Sequence, residues 1–101
     1  MILEGERDMD RETALELLRS QHEFPGPFEF RVVVRPAVTG VTVAAMVAAA
    51  GVGAVLEDVG ERKSRYGNYI ALHVRMRLPQ AEVVLDVYEV LRSVEGVLTS
   101  L

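Results

Sequence analysis

The chain has 101 residues, half of them apolar, with 15 acidic residues against 11 basic and no cysteine. That length fits one domain with one core, and the apolar share exceeds what a disordered chain carries. The net charge of −4 argues against general nucleic-acid affinity while allowing a local basic patch, and without cysteine there is no disulfide, thiolate metal site or cysteine nucleophile.

The opening MILEGERDMD places acids where a signal peptide needs a basic start and an apolar run, so export is not expected and a reducing cytoplasm is. From Asp10 to Ser20, the apolar residues Ala14, Leu15, Leu17 and Leu18 predict a short amphipathic helix, with Asp8 or Asp10 as its N-cap and a frayed segment before it. Pro25 and Pro27 stop it. Residues 1–24 thus read as a tail and short helix, and 25–101 as a single domain.

Phe28, Phe30, Val32 and Val34 alternate with Glu29, Arg31, Val33 and Arg35, the period of a half-buried strand whose even positions face the core. The next segment, from Pro36 to Leu56, carries no charge and is long enough to span a bilayer as a helix. Its composition argues otherwise: seven Ala, three Gly, two Thr and one Pro leave little that insertion rewards. It also divides into two patterns. Val43, Met46, Val47 and Ala50 recur at helical spacing, and Gly51-Val52-Gly53 then stops the helix before a strand-like run. Thr39 or Thr42 is the expected cap, and no membrane segment is expected. The same glycines only begin to resemble a dinucleotide fingerprint, because the third glycine is missing and a helix precedes them.

A second strand, from about Val52 to Arg62, has no wholly apolar face, which predicts a bulge or an edge position. Glu57 and Glu61 would share one face roughly 13 Å apart at about 3.3 Å per residue, too far for a glycosidase-type carboxylate pair, and Asp58 would face the other way. The turn KSRYGN leads into Ile70, Leu72, Val74, Met76 and Leu78, the strongest alternation in the chain and the mark of a central strand. Pro79 suits the first turn of a helix whose apolar stripe is Val84, Val87, Leu91 and Val94, ended by Gly96, and VLTSL forms a last strand.

The order is a helix followed by βαββαβ: an α+β, ferredoxin-like split unit with both crossover helices on one sheet face and expected strand order 4-1-3-2. The other face is left open. On it the pattern gathers Arg31 and Arg35 from the first strand with His73, Arg75 and Arg77 from the third. These five are the candidate ligand or partner residues, unless Glu29, Glu57 or Asp58 neutralises them. Neither His22 nor His73 has metal-ligand spacing around it, and no cofactor is expected. RNA-recognition domains share the topology, but the outward positions of the first strand hold no aromatic residue.

The segments LLRSQHEFPGPFEFRVVV, SRYGNY and YEVLRSVEGVLTSL resemble the YbeD-like family of small bacterial proteins, through the Phe24-Pro25 step, the Ser64, Gly67 and Tyr69 turn, and Val87, Tyr88 and Leu91. The resemblance runs from Leu17 onward. It implies a fold like the ACT regulatory domain, and hence a non-enzymatic regulatory or interaction role, with a homodimer and a small molecule or partner protein as the expected associates. It supplies no catalytic residue. The alternative is an anion or nucleic-acid binder using the arginines of the open face.

Overall fold

The computed structural model describes the backbone of residues 4–100 and the side chains of 11–100. Its elements in chain order are α1 (Glu4–Gln21), β1 (Gly26–Val34), a 3-10 turn (Pro36–Val38), α2 (Thr39–Ala50), β2 (Val55–Lys63), β3 (Ile70–Leu78), α3 (Ala81–Ser93) and β4 (Val97–Ser100). The strands form one antiparallel sheet in the order β2-β3-β1-β4, the expected order read from the opposite edge. With α2 and α3 as crossovers this is the ferredoxin-like unit, extended by α1.

Alternation dictates the core. Phe30, Val32 and Val34 of β1 and Leu72, Val74 and Met76 of β3 are buried together with Met46 of α2 and Val84, Val87 and Leu91 of α3. Each such side chain stabilises the fold by about 1.5–3 kcal/mol. An aromatic chain crosses this layer, with ring centroids 4.9 Å apart for His22–Phe28, 4.9 Å for Phe28–Phe30 and 5.4 Å for Phe30–Tyr88. Tilted and edge-on pairs of this kind suit the ring quadrupole.

The uncharged run divides as its sequence predicts: the N–H of Gly51 donates to the carbonyl of Val47 and ends α2, and a strand follows. Among the described residues no helix is long and apolar enough to cross a membrane. Gly96, at φ 99°, turns the chain from α3 into β4, and its missing side chain leaves room for Val38, whose Cγ2 lies 2.7 Å from where a Cβ would stand. A left-handed backbone and a close neighbour both require glycine there.

Three expectations change. Helix α1 already begins at Glu4, so Asp8 and Asp10 lie within it rather than at its cap, and the residues before Glu4 fall outside the described part. Its apolar set also divides: Leu15 is buried and Leu18 packs on the core, while Leu17 is exposed. Neither threonine caps α2. Thr39 donates to the carbonyl of Pro36 and the buried Thr42 to that of Val38 at 2.7 Å, because hydroxyls placed inside a helical turn bond back to carbonyls instead of forward to free N–H groups. Pro79 precedes α3 rather than opening it, with Gln80 in extended conformation as the N-cap.

Candidate functional site

Helices cover one face of the sheet, and the other face presents the odd-numbered residues of β1 and β3. Cross-strand register sets Glu29 opposite Arg75, Arg31 opposite His73 and Val33 opposite Ala71. Arg35 remains extended, at φ −71° and ψ 143°, and continues the alternation past the end of β1. All five predicted residues therefore lie on or beside one surface. They do not form one cluster.

The face is divided electrostatically along the strands. Toward the end of β3, His73 meets Glu29 with Nδ1 3.1 Å from Oε2, and Arg77 meets Glu57 with Nε 3.5 Å from Oε2. Arg75 sits in register between Glu29 on one side and Asp58 on the other. Two of the predicted cations are thus paired with carboxylates, as cross-strand pairs of opposite charge favour, while Arg75 has carboxylates in register on both sides but none within 4 Å among the described residues. Toward the β2–β3 turn, Arg31 and Arg35 have no carboxylate within 4 Å among the described residues. Between them lie the half-buried Val33 and, across the ladder, Ala71.

The bulge in β2 rearranges the acids. The register shifts between Leu56 and Asp58, so both Glu57 and Asp58 serve the open face, while Glu61, in register with the buried Leu72, belongs to the other. Glu57 and Glu61 therefore do not share a face as simple alternation predicts. The same shift brings Arg62 onto the open face opposite Ala71, adding a cation to the Arg31–Arg35 end that sequence reasoning misses. The mixed polarity of β2 was the available signal. At the turn itself, Arg65 lies over the Tyr66 ring, 5.6 Å from its centroid, and both are exposed.

A groove of about 450 Å³ also opens between α1 and α3, lined by Arg11, Ala14, Leu85, Tyr88, Glu89 and Arg92. Burial pushes the Tyr88 phenol above its ordinary pKa. Among the described residues, no group of His, Asp and Glu is placed to hold a metal ion.

The family model described as "Protein of unknown function (DUF493)" matches residues 19–101. The chain belongs to the DUF493 family. The match covers the whole βαββαβ unit and leaves most of α1 outside, and it is consistent with the YbeD-like resemblance of the same segment. Among solved structures, the C-terminal domain of the MgtC protein from Mycobacterium tuberculosis, determined in solution, is similar to this DUF493 chain with a TM-score of 0.65 and 17% identity. The alignment covers 79% of this chain and 87% of that one, a likeness of fold alone. No curated protein matches the chain.

Proposed function

We propose that this protein is a non-enzymatic regulatory or interaction domain of the ACT-like kind, which holds a small carboxylate- or phosphate-bearing molecule at the Arg31–Arg35 end of its open sheet face. The observation that carries the reading is the divided face: His73 and Arg77 are satisfied by Glu29 and Glu57, whereas Arg31 and Arg35 have no such partner among the described residues. Guanidinium groups match carboxylate and phosphate geometry with paired N–H donors, and both arginines stand on the same side of the sheet. The apolar Val33 and Ala71 between the strands supply a floor for a small aliphatic body. We further propose that the domain works in the cytoplasm as a homodimer.

The test is a titration of isotope-labelled protein with amino acids, nucleotides and short RNAs, followed by amide chemical shifts. A small anion should move the amides of Arg31, Val33, Arg35 and Ala71, and the response should vanish in the Arg31→Ala, Arg35→Ala double variant. That variant should leave stability within about 0.5 kcal/mol, as exposed substitutions do. A response to RNA alone, lost in Arg75→Ala, would transfer the function to nucleic-acid binding. Unmoved spectra with every anion would remove the site.

A further inference from the structure

Arg62 joins Arg31 and Arg35 at the end of the open face where β2 turns into β3. In the ladder Arg62 stands opposite Ala71, Ala71 opposite Val33 and Val33 opposite Thr99, so one row of side chains crosses the sheet from edge to edge. Its two middle members are small and half-buried, and they form a shallow bed. Arg62 and Val33 are two strands apart, roughly 10 Å at about 4.8 Å per strand, while Arg31 and Arg35 flank Val33 along β1. None of the three arginines has a carboxylate within 4 Å among the described residues, and no carboxylate stands opposite Arg31 or Arg62 in the ladder.

An aromatic ring borders the same bed. Tyr69, two residues before Ala71, continues the open-face alternation of β3 and is 42% exposed. Its backbone is pinned: its N–H donates to the Ser64 hydroxyl at 3.0 Å, and its carbonyl accepts from the Ser64 N–H at 2.9 Å. Positions two apart on a strand are about 7 Å apart, which sets the phenol beside Ala71. On β2 the next open-face position before Arg62 is Gly60, which brings no side chain over the bed.

The charges and the ring select the ligand. Three cations call for more than one negative charge, and a phosphate monoester carries about −1.5 to −2 at neutral pH. The bed offers nothing to an ammonium group, because Glu29, two residues before Arg31, is already held by His73. A free amino acid, which brings both charges, is a poor match. Tyr69 and Arg62 present a π face and a guanidinium face rather than a pattern of donors and acceptors, so they suit a flat ring. The net charge of −4, with Glu57 and Asp58 further along the same face, confines the cations to this end and favours a small molecule over a nucleic-acid backbone.

We infer that the open face binds a nucleoside phosphate: the phosphate sits over Val33 between Arg31 and Arg35, and the base lies on Ala71 against the Tyr69 ring, with Arg62 reaching over its other side. This rests on the anion site proposed above and names its ligand class. Every side chain in the site comes from one chain, so it stands apart from the proposed homodimer; a mass of 11.2 kDa rather than twice that value in sedimentation equilibrium removes the dimer alone.

Calorimetric titration at low ionic strength, where exposed charges are least screened, compares adenosine diphosphate with inorganic pyrophosphate, adenosine and phenylalanine. Adenosine diphosphate should bind at least tenfold more tightly than pyrophosphate, with adenosine and phenylalanine unbound at millimolar concentration. Tyr69→Ala should remove about tenfold of the adenosine diphosphate affinity and none of the pyrophosphate affinity, whereas Tyr69→Phe should keep both. The Arg31→Ala, Arg35→Ala double variant should weaken both ligands, with circular dichroism reporting that each variant is folded. Equal binding of adenosine diphosphate and pyrophosphate, or equal weakening of both by Tyr69→Ala, overturns the nucleoside phosphate and leaves the anion site standing. Binding of phenylalanine in place of adenosine diphosphate does the same. Binding of none of the four, with the amides of Arg31 and Arg35 unmoved by every anion, removes both.

Discussion

Strands β2 and β3 are neighbours in one hairpin, each nine residues long, and they share no burial pattern. Along β3 every even residue is buried and every odd one faces the open side, while along β2 nearly every residue is exposed on both faces. They share one ladder, although β3 is paired on both edges and β2, which carries the bulge, on one. What differs is the helix layer, which packs on β3 and makes no comparable contact with β2 among the described residues, so one hairpin carries core on one strand and exposed surface on the next. In a ferredoxin-like sheet, burial depends on which strands the helices cover as much as on local alternation.

The sharpest way to break that contrast is a matched pair of truncations on facing sides of the hairpin. Leu72→Ala in β3 should cost about 2–5 kcal/mol in denaturant unfolding, since it empties a fully buried site. Val59→Ala in β2 should cost under about 1 kcal/mol, as a partly exposed position does. Equal losses would mean that β2 is as embedded as β3. On the covered side, Gly96→Ala should cost about 1–3 kcal/mol in thermal unfolding, because a methyl group there meets both a left-handed backbone and Val38. An unchanged melting temperature would mean that the rim between the 3-10 turn and β4 is loose.

The smallest effect is one of pH. Burial raises the Tyr88 phenol above its ordinary pKa, so the folded chain holds that proton more tightly than the unfolded chain. The stability this brings is full below the unfolded value of about 10 and is lost as pH rises through the raised folded value. Comparing denaturation midpoints at about pH 9 and about pH 11, the wild-type chain should fall further than Tyr88→Phe. Parallel losses would place the phenol in solvent.

Much of this was legible before any coordinates. Val32 and Val34, or Leu72 and Val74, declare their faces because an apolar residue at every second position has one low-energy orientation when a single face is covered. The irregular polarity of β2 announced a bulge or an edge, and the strand has both, since a strand without a clean face has no layer above it. The bulge also hid what followed, because one inserted residue reverses the parity of everything after it. Asp58 joined Glu57 on the open face, and Arg62 arrived there unannounced. The candidate site was read as a surface but not as a partition: which cations are already matched depends on register between strands distant in sequence, as with Glu29 and His73. The start of α1 and the cap of α2 were missed for a local reason. Asp, Ser and Thr near a helix start bond in several ways, and the residues alone do not choose among them.

The tight seat of Val38 against Gly96, together with the hydrogen bond from the Arg35 N–H to the Gly96 carbonyl at 2.9 Å, fastens both loops at that end of the sheet into one plate. Arg35 is anchored in that plate and Arg31 in the ladder beside it. For the anion proposed to bind there, the backbone that carries both arginines is already fixed, so its binding calls for no loop rearrangement.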